Sequence, residues 1–470
     1  MNARRLIQVT ILSLFASAAL FAQANFSTSL HATRAGKLHW YGTANGGFQS
    51  LTNVPIDSLQ CNGCHGPTNA DGVAYTGTYT PGCGDCHKTG VFAKDSIKID
   101  QCYGCHSRQK TEYSTLGYHD VHRDRGMKCW DCHTSDDVHG GTTTLQSMLQ
   151  PGGITVDCED CHKTTGGSAP LPSHASYDPH GGKIHCTACH ARTVITCFSC
   201  HLESQIVTKK RHRQALHDFV ILGNRTKDNK VYPMSFQSLT YNGMSWAAFG
   251  PYTAHTIDSV GRGCPACHNN MGGNNAAIAQ YNATGSMKFV TWNPTDSTLS
   301  WIHGVVPFPA DYQRSFKMDF LTYNGAPSDP VVTTKNWRPI GKELMDGTHM
   351  LYSTPLTKVQ MAKLGFDTTK VTAVEDFGTD VPGTFRLNQN YPNPFNPSTT
   401  IEFGLPKATR VSLTVYDILG AEVQLIARGK QFEAGIHQIS FKGEGLPSGI
   451  YLYKMETPEF SQTRKMALVR

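Results

Sequence analysis

The pattern of hydrophobic and polar positions divides the chain into three stretches. Over residues 25–205, Gly, Thr, Asp and Pro dominate, and no apolar period of 3.6 or 2 residues persists for more than a few positions. This stretch therefore predicts short helical turns joined by irregular backbone. Residues 206–370 hold more apolar and aromatic positions in alternating runs, which predict some strands and turns.

The third pattern follows an acidic connector at residues 371–384. Residues 385–470 contain short alternating apolar runs separated by turn residues, and strands at this spacing are typical of a β-sandwich. We expect an all-β, immunoglobulin-like sandwich in this stretch. The predicted strands cover residues 400–405, 411–416, 422–426, 435–441, 449–455 and 463–469.

The first residues have the pattern of a secretory signal peptide, residues 1–24. Arg4 and Arg5 form a positive start, residues 6–21 are mostly apolar, and Ala-Gln-Ala at 22–24 fits the small-x-small cleavage rule. We expect cleavage before Asn25; a membrane anchor is the alternative, although the apolar stretch is short for a span. Because no other segment approaches about 18 consecutive apolar residues, we expect no membrane span in the mature chain.

Every cysteine of the chain lies in the same motif, Cys-x-x-Cys-His. The composition would give about 0.03 such motifs by chance, whereas eight occur and use all 16 cysteines. Zinc sites do not need a histidine after each second cysteine, a thioredoxin-like site would occur once, and a disulfide framework would not need the histidines. The motifs are Cys61/Cys64/His65, Cys83/Cys86/His87, Cys102/Cys105/His106, Cys129/Cys132/His133, Cys158/Cys161/His162, Cys186/Cys189/His190, Cys197/Cys200/His201 and Cys264/Cys267/His268.

This motif is the attachment site of c-type haem. Two thiols three residues apart can reach the two vinyl groups on one porphyrin edge, and the following histidine gives its imidazole nitrogen to iron as the proximal ligand. We therefore expect eight covalently bound haem c groups, whose porphyrins supply the apolar core that the side chains of residues 25–205 do not. In motif density the chain resembles the multihaem c-type cytochromes, and its eight motifs correspond to an octahaem member. This resemblance implies electron transfer.

A second axial ligand would close each iron to substrates. Fourteen histidines lie outside the motifs, which is enough for two axial histidines on each iron, and Met127 or Met271 could also serve. His185 directly precedes Cys186 and cannot easily double back onto its own iron, so we expect it to bind a neighbouring haem. The predicted distal ligands are His119, His122, His139, His174, His180, His185, His217 and His255.

The motifs also follow one another closely. The proximal histidines from His65 to His201 are mostly 19 to 29 residues apart, and the short step from His190 to Cys197 spans at most about 25 Å. We therefore expect contiguous haems and electron transfer along one chain of them. Residues 25–205 would form a seven-haem cytochrome segment, with mostly irregular backbone and short helices around the haem chain, and residues 206–370 a lobe that carries the eighth haem.

Residues 385–470 closely resemble the type A C-terminal sorting domain of the type IX secretion system. This resemblance implies passage through the periplasm and across the outer membrane, with the secretion machinery as a partner and the domain often removed on arrival. A generic immunoglobulin-like adhesive module is the alternative. The matching segments are Asn-Tyr-Pro-Asn-Pro-Phe-Asn-Pro at 390–397, Val-Tyr-Asp at 415–417 with Leu-Gly at 419–420, Ala-Gly-Ile-His at 434–437, Leu-Pro-Ser-Gly-Ile-Tyr at 446–451 and Thr-Arg-Lys-Met at 463–466.

Charge adds little to this picture. The formal net charge is +6, but each haem would add two propionates, and no basic run with interleaved aromatic residues favours nucleic acid. We expect an exported electron conduit at the outer-membrane surface or outside the cell, with redox proteins or an extracellular electron acceptor as partners. Self-association through haem-exposing ends would fit such a conduit, and no residue is assigned a catalytic role.

Two other functions stay open at this point. An octahaem oxidoreductase acting on hydroxylamine, nitrite or tetrathionate would need one open iron, and the isolated motif Cys264/Cys267/His268 is the candidate. The Cys-x-x-Cys-Lys sequence that some members of those families carry does not occur in the chain. A surface adhesin that merely carries haem is the third class of function.

Overall fold

The computed structural model describes residues 26–43, 46–59, 65–141, 143–150, 152–162, 168, 178–371, 385–390, 393–432 and 435–469. The predicted signal peptide, Cys61, Cys64, His174 and residues 372–384 of the connector lie outside the described residues. The chain divides into two compact units: residues 1–308 with 316–354, and residues 309–315 with 355–470.

Short helices and irregular backbone form the first part of the first unit. The sequence between motifs offers no apolar stripe that a longer helix could bury, so each helix has only one or two turns. A π-helical turn covers Thr111–Thr115, and 3₁₀ turns cover Ile56–Leu59, Cys83–Asp85 and Lys94–Ser96. The helices are α1 Leu30–Thr33, α2 Ala35–Tyr41, α3 Phe48–Thr52, α4 Ile99–Cys105, α5 Ser107–Lys110, α6 Val121–Asp124, α7 Cys129–Cys132, α8 Ser135–His139, α9 Cys158–Cys161 and α10 Cys186–His190.

Most motifs lie on single helical turns, because one turn places two cysteines three residues apart on the same face. This holds for α4, α7, α9 and α10 and for the 3₁₀ turns Cys83–Asp85 and Cys264–Ala266. In three of these turns an aspartate just before the second cysteine accepts a hydrogen bond from the backbone N–H that precedes the first cysteine. The donors and acceptors are Gly82 to Asp85 (3.0 Å), Lys128 to Asp131 (2.8 Å) and Asp157 to Asp160 (2.8 Å).

The seventh motif departs from the expected helical turn, because it lies in strand β1, Thr196–His201. Cysteines three positions apart point to opposite faces of a regular strand. Here the register of β1 shifts between Cys197 and Cys200, and Ser199 has a positive φ of 46°. This irregularity leaves both cysteines partly exposed while Phe198 is buried.

The remaining strands of the first unit show that the predicted lobe is built largely from β-structure. Its two longer helices are α11, Leu202–Thr208, and α12, Ala276–Thr284, and 3₁₀ turns cover Cys264–Ala266 and Asn269–Met271. The strands are β2 Gln214–Leu216, β3 Phe219–Arg225, β4 Val231–Tyr241, β5 Met244–Pro251, β6 Met287–Asn293, β7 Thr298–Trp301, β8 Gly304–Pro307, β9 Phe316–Met318, β10 Leu321–Tyr323, β11 Trp337–Pro339, β12 Gly347–Met350 and β13 Ser353–Thr354.

An eight-stranded mixed sheet organises this lobe. Its main path runs β12-β5-β4-β1-β2, and β3 pairs with β4, β8 and β13. The β1–β4, β5–β12 and β3–β8 pairs are parallel. Phe219, Phe236, Phe249 and Phe289 are fully buried in its core. The seventh motif is therefore part of this sheet and not of the irregular segment before it.

The second unit contains the predicted sandwich strands. Two antiparallel sheets, β14-β15-β18 and β17-β16-β19-β20, contribute side chains to one buried cluster that includes Ile401, Phe403, Val415 and Tyr453. Each predicted strand has a counterpart within two residues at both ends, except that β17 continues to Phe432. The elements are α13 Tyr312–Ser315, α14 Lys358–Leu364, a 3₁₀ turn Thr368–Lys370, β14 Arg386–Leu387, β15 Ser398–Leu405, β16 Thr409–Tyr416, β17 Glu422–Phe432, β18 Gly435–Lys442, β19 Gly449–Glu456 and β20 Ser461–Leu468.

Within the described ranges, no helix reaches the length and apolarity that crossing a bilayer requires.

Candidate haem sites

Five motif histidines each face one histidine from elsewhere in the chain. The ring centroids of these pairs lie 6.0 to 6.3 Å apart, and the angles between ring planes range from 18° to 64°. The pairs are His31–His106, His87–His139, His122–His162, His133–His255 and His180–His268.

This separation is too wide for ring stacking and fits an iron between the two imidazoles. With metal–nitrogen bonds of about 2 Å and about 1.1 Å from that nitrogen to the ring centroid, two rings on opposite sides of one metal would have centroids about 6.2 Å apart. Each ring can turn about its own metal–nitrogen bond, so the angle between the planes is not fixed. The residues present therefore fit a haem with two axial histidines at these five positions.

In three of these pairs, His31–His106, His87–His139 and His133–His255, burial lowers the pKa of at least one imidazole and so favours the neutral state that binds a metal. Burial lowers the pKa of His106 to about 4, and the neighbouring His31, His255 and His133 lower it further. Burial also lowers the pKa of His31, His139 and His255.

Four of the eight predicted distal ligands occupy these positions: His122, His139, His180 and His255. His31 occupies the fifth, and it was not among the predicted ligands. No local signal marks it, because it precedes the first motif and its partner His106 lies 75 positions further along the chain. Its Nδ1 lies 3.0 Å from the carbonyl oxygen of Val138, which fixes the ring.

Three other predicted distal ligands have different neighbours. His119 is 81% exposed and pairs with Asp124 at 3.1 Å. His185 is stacked on Tyr232 with ring centroids 4.0 Å apart, and its Nδ1 and Nε2 lie 2.7 Å from Thr187 and 3.2 Å from Asp157.

His217 contacts a polar and aromatic group of residues. Its Nδ1 lies 2.8 Å from the Asp218 carboxylate and 3.0 Å from the Tyr118 hydroxyl, and its ring meets Trp301 edge-on with centroids 5.8 Å apart. The last predicted distal ligand, His174, lies outside the described residues. The ligand roles of His119, His174, His185 and His217 stay predictions.

The remaining motif histidines are placed by other contacts. His65 packs against Tyr75 and Tyr79. His190 Nδ1 lies 2.9 Å from the carbonyl oxygen of Asp258. His201 Nε2 lies 3.1 Å from a Glu203 carboxylate oxygen.

Cysteines of successive motifs touch each other. A side-chain hydrogen bond with Cys129 raises the pKa of the Cys102 thiol, and a hydrogen bond with Cys186 does the same to the thiol of Cys158. Thioether formation removes the thiol proton, so the proximity of the sulfurs is what matters for haem attachment. The third motif therefore lies against the fourth, and the fifth against the sixth.

Cysteines of other motifs also influence one another electrostatically. Burial raises the pKa of Cys86 to about 11, and Cys105 of the third motif contributes to that rise. Cys161 contributes in the same way to the raised pKa of Cys132, where burial is again the main cause. Burial raises the pKa of Cys267 to about 11 with a further contribution from Cys189. Together with the two hydrogen bonds, these electrostatic interactions link the motifs in succession from the second to the sixth, and the sixth to the eighth.

Two family models match parts of the chain. Residues 121–202, which contain the fourth to seventh motifs and the His122–His162 pair, match the family model of Cytochrome c3. Residues 389–469 match the family model of the secretion system C-terminal sorting domain.

One curated relative is also a multihaem cytochrome. The multiheme cytochrome MtrA of Shewanella baltica (strain OS185) is 28% identical over 125 residues, which are 25% of this chain and 35% of that protein. The match thus spans about a third of that relative's length. Among solved structures, the endo-beta-1,4-mannanase from Thermotoga petrophila covers 35% of this chain and 31% of its own at 11% identity, and its TM-score of 0.15 supports no inference.

The matches and the motifs together define the class of protein. The chain contains a segment with short helices that is similar to multihaem c-type cytochromes, and this similarity supports covalently bound haem c. It also carries a β-rich sorting domain for type IX secretion, which implies export and a cell-surface or extracellular location.

Proposed function

We propose that this protein is an exported octahaem c-type cytochrome that acts as an electron conduit in extracellular or cell-surface electron transfer. The observation that carries the proposal is the set of five histidine pairs whose ring centroids lie 6.0 to 6.3 Å apart. When bound, haem supplies reversible one-electron chemistry at its iron. The chain supplies attachment, axial ligands and the order of the sites.

The proposed attachment residues are the cysteines of all eight motifs, with the motif histidines as proximal ligands. His31, His139, His122, His255 and His180 would hold the opposite positions at His106, His87, His162, His133 and His268. An imidazole on each side leaves no position for a substrate, so such a site exchanges electrons only.

The order of the motifs supports a conduit. Each of four distal histidines lies near one motif in sequence and faces another in space, as His122 does when it precedes Cys129 and faces His162. This crossing of ligands, together with the contacts between cysteines of successive motifs, favours sites that are close enough for electrons to pass along the chain.

An oxidoreductase function finds less support. The eighth motif was the candidate for an open iron, and His180 lies opposite His268 with ring centroids 6.3 Å apart. No feature of the described residues around this pair favours a substrate there over a second imidazole.

The location of the conduit follows from the sorting domain. We propose that residues 385–470 form an immunoglobulin-like sandwich that the type IX secretion machinery recognises, and that the cytochrome acts at the outer-membrane surface or beyond it. The two sheets around one buried cluster support the sandwich, and redox proteins or an extracellular acceptor would be the partners.

Three measurements on the mature holoprotein test the function. Intact mass spectrometry should give the polypeptide mass plus eight haems, and fewer than eight on material with complete maturation would contradict the octahaem assignment. Electron paramagnetic resonance should show low-spin iron, and the reduced protein should not bind carbon monoxide. Turnover of hydroxylamine, nitrite or tetrathionate with a carbon monoxide adduct would instead establish the oxidoreductase.

A further inference from the structure

Two tyrosines enclose the proximal histidine of the first motif. The ring centroids of Tyr75 and Tyr79 lie 4.6 and 4.5 Å from that of His65, and the two phenol rings meet edge-on at 5.1 Å. His65 Nδ1 lies 2.6 Å from the carbonyl oxygen of Gly66, so Nε2 is the nitrogen available to a metal. The same residues line a partly open cavity of about 100 Å³ together with Asp85 and Cys105.

Both tyrosines are held by one carboxylate. The Tyr75 hydroxyl donates to Asp85 Oδ1 at 2.5 Å, and the Tyr79 hydroxyl donates to Asp85 Oδ2 at 2.6 Å. Asp85 lies inside the second motif, between Cys83 and Cys86, where it also accepts the Gly82 backbone N–H at 3.0 Å. A residue of the second motif therefore fixes the rings that pack on the ligand of the first.

Arg34 connects these tyrosines to the third motif. Its Nη2 donates to the Tyr79 hydroxyl at 3.1 Å, and its Nε donates to the carbonyl oxygen of His31 at 3.0 Å. His31 faces His106 of the third motif. Arg34 adopts a positive φ of 55° at the junction of α1 and α2, a conformation that costs energy and that these contacts help to hold.

Burial and the nearby Asp85 carboxylate favour the neutral, hydrogen-bond-donating form of both tyrosine hydroxyls. Burial raises the pKa of Tyr75 and of Tyr79, and the hydrogen bonds and charge of Asp85 raise both further. Arg34 acts in the opposite direction on Tyr79. The tyrosines therefore stay protonated and keep donating to Asp85.

We propose that Asp85 is a positioning residue for the first haem site: by holding Tyr75 and Tyr79 it fixes the orientation and surroundings of the His65 imidazole and so sets the redox potential at that site. This inference rests on the proposed role of His65 as an iron ligand. Partners in the second coordination sphere orient ligating imidazoles and tune the metal, and replacing them has measurable effects on its properties. Asp85 would thereby link the first site to the second motif.

The test uses the full mature holoprotein with Asp85→Asn, the Tyr75→Phe/Tyr79→Phe double variant and Asp85→Glu. Asp95→Asn, an exposed aspartate on the turn Lys94–Ser96, is the matched control. Potentiometric titration and electron paramagnetic resonance should show one redox transition and one low-spin signal shifted in Asp85→Asn and in the double variant. In Asp85→Glu, which keeps the carboxylate, the redox transition and the low-spin signal should lie closer to their wild-type values than in Asp85→Asn. Asp95→Asn should leave both unchanged.

The double variant keeps the rings and removes only the hydroxyls, so it tests the inference even where Asp85→Asn fails to fold. Unchanged potentials and signals in the double variant, with eight haems retained by mass, would overturn the role of Asp85. His65→Ala separates the two levels of the argument. If it changes one low-spin signal while the double variant does not, the positioning role fails and the ligation stands; if it changes none, the ligation by His65 fails.

Discussion

His180 and His268 face each other with ring centroids 6.3 Å apart and ring planes 18° from parallel. His268 belongs to the motif that is most isolated in the sequence, 67 positions after the proximal histidine His201. His180 lies just before the sixth motif, so this pair ties the eighth site to the sixth. The electrostatic influence of Cys264 on the pKa of Cys189 is consistent with this.

Removal of His180 should open one iron. In His180→Ala, we expect one of eight haems to change from low spin to high spin and to bind carbon monoxide when reduced, because an axial imidazole is lost while His268 and the thioethers remain. Optical and paramagnetic resonance spectra of the holoprotein measure both changes. His303→Ala, at an exposed histidine that is not a predicted ligand, is the control and should change neither; a fully low-spin His180→Ala would contradict the assignment.

Removal of His31 should have the same spectral effect at the third motif. His31 lies 6.0 Å from His106 by ring centroids, so His31→Ala should convert one further haem to high spin, and the His31→Ala/His180→Ala double variant should convert two. His303→Ala, which removes an exposed histidine stacked on Trp301, serves as control. The assignment fails if His31→Ala leaves the number of low-spin haems unchanged.

Glu112 should make stability depend on pH. It is fully buried in the π-helical turn, neither carboxylate oxygen has a hydrogen bond of ordinary geometry among the described residues, and burial raises its pKa to about 7 while Arg108 opposes the rise. The carboxyl has a pKa of 4.5 in the unfolded state and about 7 in the folded state. Between pH 4.5 and about 7 the folded state therefore binds more protons than the unfolded state. The contribution of Glu112 to stability is therefore present at the acid end of this window and is lost as pH rises through it.

In Glu112→Gln this loss should disappear. The free energy of unfolding of the wild type, relative to the variant, should fall by about 3 kcal/mol between about pH 4.5 and about pH 8, at about 1.4 kcal/mol per pKa unit. Urea denaturation at the two pH values measures the difference. Glu159→Gln, at a 74% exposed side chain, should track the wild type; parallel pH profiles for wild type and Glu112→Gln would show that the carboxyl is ionised normally.

Tyr453 should be a stability determinant of the sorting domain. Its side chain is fully buried, and its hydroxyl donates to the Asn388 carbonyl oxygen and accepts the Asn390 backbone N–H, both at 2.7 Å. Tyr453→Phe leaves both backbone groups without this partner, so we expect a loss of about 1–3 kcal/mol. Hydrogen exchange of residues 385–469 in the full chain measures it, with the half-buried Tyr416→Phe as comparison. Equal exchange rates in the two variants would contradict the prediction.

The local chemistry was predictable and the long-range pairing was not. The sequence identified all eight motifs and the strands of the sorting domain, because both depend on residues that are neighbours in the chain. Distal ligands were predicted only by proximity to motifs. Of these, His122, His139, His180 and His255 face a motif histidine, and so does His31, which was not predicted. The partner of His133 is His255, 122 positions away, and no sequence spacing encodes such a distance.

The sequence by itself determined where the eight haem-binding motifs lie and where the sorting strands run. A Cys-x-x-Cys-His motif places two thiols and one imidazole within reach of a single porphyrin through local geometry alone, and alternation with period two marks strands wherever one face is buried. Only the tertiary structure decided which histidine faces each of five motif histidines, that Asp85 of the second motif holds the tyrosines that pack on His65, and that the seventh motif lies in a strand. These features depend on backbone segments that approach from distant parts of the chain, and packing, not sequence spacing, sets that approach.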